Sequence, residues 1–123
     1  MALVRGIRGA TTASSNTREA ILEVTTELLE SLFEANDVQL GDVAAVYFTT
    51  TDDLNAEFPA VAARQMGWEY VARMCGHEMR VPGAPAQCIR VLLLINTDKA
   101  PQDLKNVYLR GATELRNRGV EEV

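Results

Sequence analysis

Arg90 stands two residues into the most apolar segment of the chain, where Ile89, Val91, Leu92, Leu93, Leu94 and Ile95 form an almost unbroken run. A guanidinium cannot shed its proton to escape burial, so in such a strand it must meet an anion. That anion is either a protein carboxylate, for which Glu78 is the candidate, or a ligand. Arg8 poses the same question between Ile7 and Gly9, in a segment that also reads as a strand. Two strand arginines favour a ligand, a small molecule carrying more than one negative charge. Tyr108 and Arg64 could add a hydroxyl and a further cation. A tyrosine between Val107 and Leu109 also suits a core, however, and a helical arginine is commonly solvated.

Other chemistries lack their residues. His77 is the single histidine, beside a loop and without partners of triad type. Asp52 and Asp53 are adjacent and point in different directions, so they form neither a hydrolytic pair nor a cation cage. Cys75 and Cys88 sit in no CxxC pair and near no set of histidines, and both read as free thiols, with Cys75 better suited to packing than to attack. The early glycines match neither GxGxxG nor a Walker loop. What remains is an arginine-rich anion site with no visible base, nucleophile, metal or phosphate loop.

The elements that must position these residues follow from periodicity. Residues 4–12 read as a strand in which Gly6, Gly9 and Ala10 permit close backbone approach. Residues 16–36 read as an amphipathic helix with Asn16 as N-cap and Glu19 three residues on. Its apolar stripe is Ile21, Thr25, Leu28 and Leu32, widened by Leu22, Leu29 and Phe33, opposite an acidic face of Glu23, Glu27, Glu30 and Glu34. After a turn at Leu40, Gly41 and Asp42, residues 43–49 favour a strand. Residues 55–66 read as a second helix, started by Pro59 in its first turn and ended by Gly67. A strand is expected at 68–74, a loop at 77–87, and a central, buried strand at 88–96. Residues 103–117 fit a helix by period, with a short strand at 107–109 as the alternative. Strands interleaved with helices indicate one α/β (α+β) domain over residues 1–123, with a mixed sheet and packed helices.

With 123 residues, a large cavity would consume much of the core, a conflict that a pocket shared between subunits relieves. The net charge of −5 argues against nucleic acid or anionic lipid as partner, so an anionic ligand needs a concentrated arginine patch. No apolar run approaches the roughly 20 residues that span a bilayer, and no secretory h-region opens the chain. A cytoplasmic location is the expectation.

Several segments resemble the AroH-type chorismate mutases: Arg5-Gly6-Ile7-Arg8-Gly9-Ala10-Thr11-Thr12, Asp53-Leu54-Asn55-Ala56-Glu57-Phe58-Pro59-Ala60, Gly67-Trp68-Glu69-Tyr70-Val71, and Cys75-Gly76-His77-Glu78-Met79. The likeness resumes at Cys88-Ile89-Arg90-Val91 and Val107-Tyr108-Leu109, so it covers nearly the whole chain. The resemblance implies a mixed α/β fold, a homotrimer of pseudo-barrel form with active sites at subunit interfaces, and rearrangement of chorismate to prephenate in Phe and Tyr biosynthesis. It implies no cofactor and no metal. On it, Arg8 and Tyr108 hold a substrate carboxylate, Arg90 reaches the ether oxygen and a carboxylate, and Glu78 with the Cys75 region receives the ring hydroxyl. Phe58, Ala60 and Arg64 line or close the pocket, Met74 joins the substrate-binding set, and Leu115 with Arg116 belongs to a mobile C-terminal segment at about 110–123. Departures are Met74 where threonine is common, Val61 where lysine is frequent, and Asn117-Arg118 for proline and aspartate. The rival reading is a non-catalytic trimer that uses the same arginines to clamp small carboxylates.

Overall fold

The computed structural model describes residues 2–117. Five strands form one mixed sheet: β1 (Leu3–Thr12), β2 (Val43–Thr50), β3 (Ala72–His77), β4 (Cys88–Thr97) and β5 (Val107–Tyr108), in the order β3-β2-β4-β1-β5. β4 lies antiparallel to both β1 and β2, while β3 and β5 run parallel to β2 and β1. The mixed-sheet expectation holds.

Among the described residues the sheet is joined by three α-helices, α1 (Arg18–Asn36), α2 (Ala60–Gln65) and α3 (Thr113–Asn117), and by short 3-10 turns. The stripe of α1 is buried at Leu28, Leu29 and Leu32 against Ile7, Val46, Phe48, Val91, Leu93 and Ile95, and at Ile21 in a second cluster with Leu54 and Ile89. Gly9 allows the close approach: a Cβ there would meet the Leu28 and Leu32 side chains at 3.0 Å. The N-cap is Thr17, whose hydroxyl accepts from the Ala20 N–H at 3.2 Å, not Asn16. Asn16 is taken by another task. Its Oδ1 accepts from the backbone N–H groups of Asn55 and Ala56, which ties the start of α1 to the turn before α2.

Pro59 sets the start of α2, as its fixed φ and missing N–H require, but the helix begins at Ala60 rather than residue 55. Gly67 ends it at φ 91°, a left-handed conformation suited to glycine. The strand expected at 68–74 begins later. Trp68 is buried against Phe33, its ring centroid 5.0 Å away, and its N–H closes α2 on the Ala63 carbonyl. The ladder with β2 therefore starts only at Ala72 and carries on to His77. Residues 103–117 are not one helix: β5 pairs with Gly9 and Ala10, Arg110 turns at φ 52°, and only the last residues form α3. The alternative strand won because an open edge of β1 offered the backbone partners.

β4 is central but not buried on both faces. Ile89, Val91, Leu93 and Ile95 lie under α1 or beside it in the core, whereas Leu92 on the opposite face is 39% exposed. The strand pleat sends alternate residues to opposite faces, and α1 covers only one. On the open face, among the described residues, the C-terminal turn and α3 reach in, where Ala112 and Leu115 pack with Ala10, Cys88 and Tyr108.

Candidate active site

The open face of the sheet positions the chemistry. Register places Gly76, Thr49, Arg90, Ala10 and Tyr108 side by side across the five strands, and Met74, Tyr47, Leu92 and Arg8 in the next row. Arg8 and Arg90 are therefore diagonal neighbours on adjacent strands, both pointing away from α1. With Glu78, Tyr108 and Leu115 they line a cleft of about 280 Å³, floored by Gly9, Ala10 and Val91. The C-terminal turn that brings in Leu115 forms one wall.

Arg90 is neither sealed in the core nor turned out to solvent. Its side chain is 39% exposed and faces the cleft, and its Nε lies 3.1 Å from Glu78 Oε2. The carboxylate alternative is thus real, but it occupies one edge of the guanidinium beside an open cavity. Glu78 is held at its backbone too, where its N–H donates to the Thr50 carbonyl at 2.8 Å and prolongs the ladder between β2 and β3. The Thr49 hydroxyl donates to the same Oε2 that Arg90 approaches. Arg8 meets no carboxylate among the described residues. Its backbone N–H donates to Asn106 Oδ1 at 2.9 Å, a side chain standing in for a sheet partner just before β5 begins. Two cations against one carboxylate give the cleft a local positive excess in an acidic chain.

The remaining residues of the sequence-derived set lie elsewhere. Phe58 and Cys75 line a second cleft of about 340 Å³ with Glu57, Pro59 and His77. Cys75 is on the helix side of β3, so within one chain its thiol does not face Glu78's cleft. Burial pushes that thiol up from its ordinary pKa, against the pull of the Ala60 N–H. Ala60 packs on the core at the start of α2. Arg64 is exposed on α2, and Met74 is 62% exposed on the open sheet face. The side chains of Arg116 and Asn117 and all of residues 118–123 lie outside the described residues, and with them that part of the segment expected to be mobile, whereas residues 110–117 form a 3-10 turn and α3. His77 ends β3 at the surface, with Nδ1 3.0 Å from the Thr50 hydroxyl.

Both cysteines are free, and burial raises the Cys88 thiol to about 11. Among the described residues no cluster of His, Cys, Asp or Glu could hold a metal ion, and no helix is long and apolar enough to cross a membrane. Sequence reasoning overlooked Thr49, Tyr47 and Leu92. Alternation alone puts Tyr47 and Thr49 on the face opposite Val46 and Phe48, but their place beside Arg90 depends on strand register.

The fold and the sequence both have counterparts among proteins of known kind. At the level of fold, a chorismate mutase from Clostridium thermocellum superposes with a TM-score of 0.89 at 49% identity, over 90% of this chain and 99% of that one. Chorismate mutase AroH of Thermus thermophilus is 49% identical over 115 residues, 93% of this chain and 94% of the relative. The Bacillus subtilis (strain 168) AroH is 43% identical over 115 residues, 93% and 91% of the two chains. The family model described as chorismate mutase type I matches residues 4–118, which include Arg8, Arg90, Glu78 and, apart from Leu3, all residues of the five described strands. On sequence, fold and extent of match alike, the chain belongs to the type I chorismate mutase family.

Proposed function

We propose that the Arg8 and Arg90 cleft binds chorismate and converts it to prephenate by an intramolecular Claisen rearrangement, in the cytoplasm, as a step of Phe and Tyr biosynthesis. One observation carries the reading: Arg8, Glu78, Arg90 and Tyr108, far apart in sequence, converge on a single cleft large enough for a small dianion. The whole chain acts as one catalytic domain.

In this rearrangement the carbon to ether oxygen bond breaks ahead of carbon to carbon bond formation, so negative charge grows on that oxygen and no proton moves. The step calls for a cation and for conformational restraint, not for a base. Arg90 supplies the cation. Because its ion pair with Glu78 is made at Nε, the forked end of the guanidinium is the part directed to the ligand. A fixed donor where charge develops contributes about 3 to 4 kcal/mol to the transition state in comparable sites. Arg8 and Tyr108 hold a carboxylate of the substrate and fold its enolpyruvyl arm over the ring, which removes part of the entropic barrier. Glu78 Oε2 is occupied by Thr49, while Oε1 accepts no hydrogen bond among the described residues, so Oε1 is the acceptor for the ring hydroxyl.

The assembly is part of the same proposal. Val4, Tyr47, Met74 and Leu92 leave an apolar patch exposed on the open sheet face, an arrangement suited to burial against further copies. Packing of these faces gives a homotrimer of pseudo-barrel form with its active sites between subunits. Phe58, Ala60, Arg64, Cys75 and Met74 then reach the arginine cleft from a neighbouring copy, and Leu115 walls it from within the chain. Incubation of purified protein with chorismate tests the reading: prephenate is expected. Tight binding of a transition-state analogue without turnover would replace the enzyme by a carboxylate-binding trimer.

A further inference from the structure

We propose that Thr49 is a positioning residue for the rearrangement, acting through Glu78 to set the direction in which Arg90 presents its charge; this rests on the reading of the cleft given above. Thr49 and Thr50 are consecutive in β2 and hold Glu78 at both ends. The Thr50 carbonyl accepts the Glu78 N–H at 2.8 Å, and the Thr49 hydroxyl donates to Glu78 Oε2. Arg90 lies directly across the ladder from Thr49, and its Nε is 3.1 Å from that same oxygen. Thr49 itself lines the cleft.

The division of labour follows from bond type. The Arg90 contact is a charge contact, which attracts the carboxylate but does not fix the rotation of its plane. The terminal torsion of a glutamate is broad and nearly two-fold, so without a directional bond either oxygen could face the guanidinium. The Thr49 hydroxyl is the one hydrogen-bond donor to this carboxylate among the described residues. It assigns Oε2 to the protein and leaves Oε1 for the ligand. It also keeps the negative charge at the Nε edge of Arg90, so that the fork stays aimed into the cavity. A neutral strand residue thereby controls the aim of a charged one.

The error that Thr49 prevents is a small displacement of Arg90 and Glu78, felt where charge develops and weakly in the ground state, whose carboxylate is held by Arg8 and Tyr108. Thr49→Val keeps the shape of the side chain and removes the hydroxyl; Thr49→Ser keeps the hydroxyl. Steady-state kinetics with chorismate should show kcat reduced about tenfold in Thr49→Val with KM within about twofold. Thr49→Ser should recover most of the loss. In a Glu78→Ala background, or in Glu78→Gln if Glu78→Ala is too slow to measure, Thr49→Val should cost markedly less than it does in the wild type, because the two residues act as one unit. Equal losses in both backgrounds, or an unchanged kcat, overturn the proposal. A crystal structure of Thr49→Val supplies an arm that does not depend on turnover: the Glu78 carboxylate should rotate away from its place beside Arg90, and an unmoved carboxylate overturns the proposal. Absence of turnover in the wild type would instead refute the reading of the cleft, while the crystallographic arm still decides whether Thr49 orients Glu78.

Discussion

The two faces of β4 are made from the same kind of residue and serve opposite ends. On one, Ile89, Val91, Leu93 and Ile95 are sealed in the core, most of them packed with α1 and its neighbours. On the other, Arg90, Leu92 and Leu94 look out from a sheet that no long helix covers among the described residues. The covered face stabilises the chain by removing apolar area from water. The open face leaves apolar area and a cation unburied in one copy, which is useful only if something else arrives. A strand that reads as uniformly apolar therefore divides, by its pleat alone, into a structural half and a functional half.

Substitutions that separate stability from turnover test this division. The largest effect is expected from Phe48→Ala on the covered face. Phe48 is among the largest fully buried side chains, and its truncation should cost about 3 to 5 kcal/mol of stability. Denaturant unfolding measures the loss, and the kcat of the protein that remains folded should change little. If kcat fell by orders of magnitude in fully folded protein, the two faces would not be separate. Next comes Arg90→Lys, the opposite case. It keeps the charge and loses the planar fork, so kcat should fall about 100-fold to 1000-fold, with little change in melting temperature. Affinity for a ground-state analogue should fall much less. Equal losses in turnover and affinity would show that Arg90 only holds the substrate.

How far the sequence revealed this division depends on which force decided each element. The strands β1, β2 and β4 and the helix α1 are legible because their apolar spacing and their neighbours agree. Pro59 and Gly67 mark the limits of α2 through backbone restrictions that hold in any context. The starts of α1 and β3 depart from the sequence pattern for a tertiary reason: Asn16 is recruited by the turn at residues 55–56, and Trp68 is pulled into the core before the ladder begins. The C-terminal segment has helical period, yet an unpaired stretch of β1 takes Val107 and Tyr108 as a strand. In the site, Arg8, Arg90 and Glu78 stand out because a charge in an apolar strand demands an explanation. Thr49 does not, since a threonine in a strand is ordinary until register puts it opposite Arg90. The separation of Cys75 from that cleft is likewise invisible in one sequence, because it depends on which way β3 faces, and Phe58 joins Cys75 in the second cleft from the turn before α2.

A smaller effect is expected at Leu92, which shares the open face with Arg90. Under the proposed trimer Leu92→Asn places an amide in the interface, at a cost of roughly 1 to 3 kcal/mol for each copy. Dilution followed by analytical ultracentrifugation should show dissociation at higher protein concentration than in the wild type, with turnover lost in parallel. An unchanged assembly would mean that Leu92 is not covered by another subunit.

The smallest change should run the other way. Thr11 lies on the covered face of β1 and is fully buried, and its hydroxyl has no hydrogen-bond partner among the described residues. A buried hydroxyl without a partner loses its hydration and gains nothing in return. Valine has nearly the same shape, favours strands, and carries no polar group to desolvate. Thr11→Val should therefore raise stability by about 1 kcal/mol, which for a domain of this size corresponds to a few degrees in melting temperature. Turnover should be unchanged, because Thr11 points toward the core and away from Arg90. A fall in stability would show that the Thr11 hydroxyl is satisfied in the folded protein. A fall in kcat alone would show that packing on the covered face reaches the geometry of the cleft, and the two faces of the sheet would then have to be treated as coupled.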